Sequence, residues 1–168
     1  MREAVVLVGH GGVPTDAPRT LVTELRRLEA ARRAQGGEPS ARERELERAL
    51  REWPRSPEND PYQAGLTALA TVLAPRLHPL PLAIAYNEFC APSVAEAIDA
   101  LVAQGCERLV LLTTMVTPGG SHAERDIPEH AEAARRRHPC LDVTYAWPFD
   151  LGSVATLFEI QLRRYLVA

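Results

Sequence analysis

Two histidines and one glutamate, His10, Glu88 and His122, each follow an apolar stretch of this sequence. The three stretches are typical of buried strands, and they span residues 5–8, 82–86 and 108–116. Imidazole and carboxylate ligands together suit a divalent first-row metal such as iron, cobalt, nickel or zinc. The pattern therefore favours a metal site, provided that folding brings the three strand ends together.

Each of these residues also has an ordinary structural explanation. His10 alone could be a loop residue that makes a backbone hydrogen bond, His122 a helix cap, and Glu88 a solvated carboxylate. The functional interpretation depends on their coincidence, because ligands of open parallel sheets bind beyond the carboxyl ends of the strands. The other histidines are assigned to a loop and to a polar helix: His78, His130 and His138.

Strand-like and helix-like patterns alternate along the chain, and a fourth strand is expected over residues 142–147. This order predicts an α/β fold with a four-stranded parallel sheet and helices on both faces. Asp16 is expected to cap the first helix, and Ser121 or Asp126 the helix after the third strand. A last amphipathic helix is expected over 151–167. Its predicted inward side chains are Val154, Leu157, Phe158 and Leu162.

Residues 32–60 have a different character, because they are rich in arginine and glutamate and poor in apolar side chains. Ser40 and Glu43 have the spacing of a capping box, which predicts a short polar helix over about 40–52. We interpret this segment as a helical insertion between the first two strands of a single domain covering residues 1–168. It could act as a lid, as a dimer arm or as inert decoration.

The composition disfavours several classes of protein. Hydrophobic residues make up 46% and charged residues 24% of the chain, as in globular proteins. The net charge of -3 argues against nucleic-acid binding. Neither a bilayer-length apolar run nor a signal-peptide core is present, so we expect a cytoplasmic protein with no membrane partner. Neither GxGxxG nor GxxxxGK[ST] occurs, which disfavours a nucleotide- or flavin-binding protein.

Three segments carry motifs that occur together in one known family. They read VLVGHG over residues 6–11, NEFCAPSVAEA over 87–97 and TPGGSHAERDIP over 117–128. On these motifs the chain resembles the small class II chelatases, the CbiX-like sirohydrochlorin cobaltochelatases and ferrochelatases. The resemblance covers roughly residues 4–30 and 60–150, and it implies a flavodoxin-like three-layer α/β/α sandwich that forms homodimers.

The same resemblance implies insertion of a divalent metal, Co²⁺, Fe²⁺ or Ni²⁺, into a tetrapyrrole such as sirohydrochlorin. His10 is then expected to accept pyrrole protons and to bind the metal together with His122. Glu88 is expected to act in catalysis and to contact the macrocycle or the metal. The metal would be a substrate, with no permanently bound cofactor. A non-catalytic tetrapyrrole or metal carrier of the same fold is the alternative.

The loop that leads to His122 is expected to line the tetrapyrrole. Arg19 and Arg125 are candidates for pairing with substrate carboxylates, although both could equally be ordinary surface charges. The substrate-binding residues implied by the resemblance are Glu88, Thr117, Pro118, Gly119, Gly120, Ser121 and His122.

Overall fold

The computed structural model describes residues 2–166, and a four-stranded parallel sheet forms its centre. The strands are β1 (Glu3–Gly9), β2 (Leu82–Tyr86), β3 (Arg108–Thr113) and β4 (Asp142–Tyr145), in the spatial order β2-β1-β3-β4. The helices are α1 (Arg19–Gln35), α2 (Ala41–Arg51), α3 (Pro61–Leu77), α4 (Val94–Ala103), α5 (Ile127–Arg137) and α6 (Leu151–Arg163). A π-helical turn, His122–Asp126, leads directly into α5.

The two central strands are apolar because helices cover the sheet on both faces. One face packs against α4 and α5, where Val6, Ile98 and Ile127 belong to one buried cluster. The opposite face packs against α3 through Leu7 and Leu66. Full burial of each such side chain contributes about 1.5–3 kcal/mol. The predicted α/β fold with a four-stranded parallel sheet is therefore confirmed.

The insertion is packed against the rest of the chain. Leu46 and Leu50 of α2 are buried together with Leu25 of α1 and with Phe89, the residue after Glu88. The predicted polar helix is present as α2, and the Ser40 side chain caps it by accepting a hydrogen bond from the backbone N–H of Glu43. The insertion thus reaches the loop that carries one of the candidate ligands.

The two N-caps predicted for α1 and for the helix after β3 differ from the structure. Asp16 does not cap α1, because its carboxylate accepts hydrogen bonds from Trp53 and Asn59 in the insertion. Neither Ser121 nor Asp126 caps the helix after β3, since the chain enters it through the π turn.

On α6 only one of the four predicted inward side chains, Val154, is buried. Leu157, Phe158 and Leu162 are 57%, 51% and 57% exposed. The prediction was wrong because periodicity identifies an apolar stripe but not a partner for it. Within residues 2–166 no helix is long and apolar enough to cross a membrane.

Candidate metal and substrate site

The carboxyl ends of β1, β2 and β3 bring His10, Glu88 and His122 together. One potential ligand atom from each residue lies within 4.8 Å of the other two. The two imidazole rings meet edge to face, with centroids 4.5 Å apart, and Nε2 of His122 lies 3.9 Å from Oε1 of Glu88. All three residues are half-buried, so a ligand from solvent can reach them. The arrangement offers two nitrogen ligands and one oxygen ligand to a divalent metal.

His10 and Glu88 are adjacent because backbone pairing continues beyond the ends of β1 and β2. The N–H of Glu88 donates to the carbonyl oxygen of His10 at 2.9 Å. Gly11 has a φ of +92°, and a Cβ at this position would lie 1.9 Å from the carbonyl oxygen of Glu88. Only glycine fits this close approach of the two loops. The Tyr62 hydroxyl also restrains the loop of His10, because it accepts a 2.7 Å hydrogen bond from the backbone N–H of His10.

The ring of His10 is oriented by its own loop. Its Nδ1 lies 2.8 Å from the carbonyl oxygen of Gly11. A carbonyl can only accept, so we assign the ring proton to Nδ1. This tautomer leaves the Nε2 lone pair available for a metal or for a proton.

The ring of His122 is oriented by a carboxylate. Its Nδ1 lies 2.6 Å from Oδ2 of Asp126, which the π turn brings alongside. Burial raises the pKa of Asp126, but hydrogen bonds from His122, Arg125 and Asn87 lower it by more, so the group stays below its ordinary value. The ionised carboxylate accepts the Nδ1 proton, and the Nε2 lone pair remains for a metal.

Asp126 and Asn87 support the site, although neither is among the site residues predicted from the sequence. The amide nitrogen of Asn87 donates to Oδ2 of Asp126 at 3.4 Å, the same oxygen that accepts the Nδ1 proton of His122. Hydrogen-bonded carboxylates of this kind fix the tautomer of a ligating histidine and raise its basicity. The four-residue spacing between His122 and Asp126 is a signal that could have indicated the pair.

A cleft of about 450 Å³ adjoins Glu88, between α1, α2 and α5. Glu29 lines this cleft, and its pKa is raised mainly by burial and secondly by the charge of Glu88. Burial also lowers the pKa of His130, which lies in the predicted polar helix, α5, and is half-buried. A separate cavity of about 520 Å³ lies near Glu3 and Pro81, at the other end of the strands, and its lining contains none of the candidate ligands.

The loop expected to line the tetrapyrrole, 117–121, is exposed. The N–H of Gly119 donates to Oε1 of Glu124 at 2.8 Å, which ties the loop to the π turn. Arg125 pairs with Oδ1 of Asp126 at 3.0 Å, whereas Arg19 is exposed at the start of α1. The roles of this loop and of both arginines stay predictions.

Comparison with known proteins yields one family and several relatives. The model of a family described as CbiX matches residues 57–166, a range that contains Glu88 and His122 but not His10. The sirohydrochlorin cobaltochelatase of Priestia megaterium is 33% identical over 70 residues. That match covers 42% of this chain and 22% of the relative.

Solved structures with low sequence identity share the fold. SirB from Bacillus subtilis with Fe³⁺ is 17% identical, with a TM-score of 0.51, over 95% of this chain and 46% of SirB. A CbiX protein of cobalamin (vitamin B12) biosynthesis from Marinobacter aquaeolei VT8 is also 17% identical, with a TM-score of 0.55. That match covers 96% of this chain and 98% of the Marinobacter protein. The chain therefore spans about half the length of SirB and nearly the full length of the smaller protein.

Proposed function

This chain belongs to the CbiX family, and from that membership we propose that it inserts a divalent metal ion into a tetrapyrrole such as sirohydrochlorin. Co²⁺ or Fe²⁺ is the proposed metal substrate. The observation that carries the proposal is the convergence of His10, Glu88 and His122 at one sheet edge, with ligand atoms within 4.8 Å. The alternative of a non-catalytic carrier uses the same residues and is separated from the enzyme by the assay below.

The donor set suits a metal that must be held and then released. Two neutral imidazoles and one carboxylate, without a thiolate, leave coordination positions open for the macrocycle nitrogens. The Asp126 carboxylate accepts the Nδ1 proton of His122, which orients the ring and leaves its Nε2 lone pair to the metal. We therefore assign the holding of the metal chiefly to His122.

Insertion exchanges one M²⁺ for two pyrrole N–H protons, so the site must also accept protons. Nε2 of His10 becomes free for a proton once the macrocycle nitrogens replace it on the metal. The Glu88 carboxylate, which lies 3.9 Å from Nε2 of His122, can take the second proton or pass it to solvent. One imidazole and one carboxylate thus balance the two protons that leave the macrocycle.

An anaerobic absorbance assay tests the proposal. Sirohydrochlorin is mixed with Co²⁺, Fe²⁺ or Ni²⁺, and the rate of spectral change is compared with and without protein. His10→Ala and His122→Ala should each lower the rate by at least about 10²-fold, the range of a lost acid–base group. His78→Ala, at an exposed histidine in a loop, is the matched control and should leave the rate unchanged.

Two results would contradict the proposal. A rate no faster than the metal alone, together with a spectral shift on mixing with the tetrapyrrole, would identify a carrier. Equal rates for the unsubstituted chain and His10→Ala would remove His10 from the chemistry.

We also propose that the active form is a homodimer. Leu157, Phe158 and Leu162 of α6 remain more than half exposed, and a second copy would bury them. Two copies would together have about the length of SirB, of which this chain covers 46%. Light scattering should give twice the mass of one chain, and Phe158→Glu should give the monomer; a monomeric unsubstituted chain would contradict the proposal.

A further inference from the structure

One buried arginine of the insertion, Arg55, lies between the two loops that carry His10 and Glu88. Arg55 follows α2, and its side chain is 6% exposed. It pairs with Asp60, whose side chain is 2% exposed. Oδ1 of Asp60 in turn accepts a 2.9 Å hydrogen bond from the N–H of Gln63 at the start of α3. The ion pair is therefore enclosed by protein and fixed to a helix end.

The Arg55 guanidinium donates to one carbonyl oxygen in each ligand loop. Nη1 donates to the carbonyl of Gly12, two residues after His10, at 3.0 Å. Nη2 donates to the carbonyl of Phe89, the residue after Glu88. The planar fork of a guanidinium can reach these acceptors and Asp60 together, whereas a lysine ammonium is a single point charge. Arg55 thus connects the two loops through their backbone carbonyls.

Phe89 needs such support because its backbone is strained. Its φ of +57° lies in the left-handed region, which a bulky residue adopts rarely and only when its surroundings hold it there. Its ring is buried with Leu46 and Leu50 of α2, and Arg55 binds its carbonyl. The restraint on the carbonyl comes from the insertion, and the ring is held between the insertion and α1, so both act on the residue next to Glu88.

We propose that Arg55 is a positioning residue that holds the His10 and Glu88 loops at a fixed separation, so that the insertion sets the geometry of the metal site. A buried ion pair adds little stability compared with an apolar pair of the same size, which is consistent with a role in geometry. Arg55 lies outside the residues 57–166 that the family model matches. The inference depends on the proposed function only where it assigns metal binding to His10 and Glu88.

The test compares Arg55→Lys, Arg55→Met and the control Arg48→Met, which changes an exposed arginine of α2. Two quantities are measured on each folded, metal-free protein. The first is hydrogen exchange of the Asn87 and Glu88 amides, which donate to Gly9 and His10 across the two loops. The second is Co²⁺ affinity with the visible spectrum of bound Co²⁺. Arg55→Met can fail to fold, so Arg55→Lys, which keeps the charge, carries the test.

We expect Arg55→Lys to exchange these two amides at least about 10-fold faster, with unchanged exchange in the sheet core. Its Co²⁺ affinity should fall by about 10- to 100-fold, as for other groups that orient metal ligands. Arg48→Met should match the unsubstituted chain in both measurements. Unchanged exchange at Asn87 and Glu88 in Arg55→Lys would overturn the inference, and so would equal acceleration throughout the sheet.

Failure of the proposed function would be distinguishable from failure of the inference about Arg55. If the unsubstituted chain binds Co²⁺ but inserts neither Co²⁺ nor Fe²⁺ into sirohydrochlorin, the chelatase proposal is wrong, while the exchange rates still decide the role of Arg55.

Discussion

The imidazole rings of His10 and His122 lie edge to face, 4.5 Å apart, yet different acceptors hold them. Nδ1 of His10 faces the neutral carbonyl of Gly11, whereas Nδ1 of His122 faces the carboxylate of Asp126. A carboxylate partner strengthens an imidazole ligand more than a carbonyl does, because it stabilises the positive charge that develops on the ring. The two histidines are therefore held unequally, and we expect His122 to bind the proposed metal substrate more strongly than His10.

Asp126→Asn tests this inequality. The amide keeps the shape of the carboxylate but lacks its charge, so Co²⁺ affinity should fall by about 10- to 100-fold. Isothermal titration of the metal-free protein measures it. Asp142→Asn, at an exposed aspartate at the start of β4, is the matched control and should leave the affinity unchanged. Equal affinities for the unsubstituted chain and Asp126→Asn would show that the carboxylate does not tune His122.

Gly11→Ala tests the close approach of the ligand loops. The new Cβ would lie 1.9 Å from the carbonyl oxygen of Glu88 and would require a left-handed backbone. We expect a loss of at least about 2 kcal/mol in the free energy of unfolding, from steric overlap and from the positive φ. Denaturant unfolding measures the change.

Gly65→Ala is the control for this substitution. Gly65 lies within α3, and apart from its chain neighbours and the backbone of the helix itself no atom lies within 4 Å of the position that an alanine methyl group would take. Alanine should therefore stabilise the helix by about 0.5–1 kcal/mol. Effects of the same sign and size at both glycines would contradict the assigned geometry.

Leu50→Ala tests whether the insertion is an integral part of the fold. Leu50 of α2 is fully buried against α1 and Phe89, so its truncation leaves a cavity and should cost about 2–5 kcal/mol. Leu69→Ala, at a leucine that is 48% exposed on α3, should change stability by less than about 0.5 kcal/mol. If thermal unfolding gave equal losses for both variants, the insertion would not share the core of the protein.

Glu96→Gln tests the start of α4 through its pH dependence. The carboxylate accepts hydrogen bonds from the backbone N–H and the hydroxyl of Ser93, and these bonds lower the pKa of Glu96. A lowered pKa in the folded state means that the unfolded chain binds the proton more readily. The stabilisation is therefore present above the unfolded pKa of about 4.3 and is lost as the pH falls through the lowered folded value.

The melting temperature of Glu96→Gln should accordingly lie below that of the unsubstituted chain at neutral pH. The difference should narrow on acidification below about pH 4.3. A difference that stayed constant from neutral to acidic pH would show that the charge of Glu96 is not what caps α4.

The fold and the three candidate ligands could be predicted because local patterns encode them. Continuous apolar runs separated by helical periodicity specify buried parallel strands, and the carboxyl ends of such strands share one edge. His10, Glu88 and His122 each follow a strand, so their convergence followed from the order of elements. The CbiX-like motifs agreed with this arrangement and with the family match.

Two supports of the site were not predicted, one formed within a local turn and one through a long-range contact. Asp126 was predicted only as a helix cap, although its four-residue spacing from His122 also fits the side-chain pair that forms in the π turn. In the sequence Arg55 is one of several arginines in a polar segment, and only the packing of the chain shows that it binds two backbone carbonyls. The periodicity of α6 predicted its apolar side chains, but not that Leu157, Phe158 and Leu162 are exposed, because periodicity does not specify which element packs against a helix. The sequence by itself determined which residues reach the sheet edge, while the tertiary structure decided their partners, since burial and hydrogen bonding depend on segments far apart in the chain.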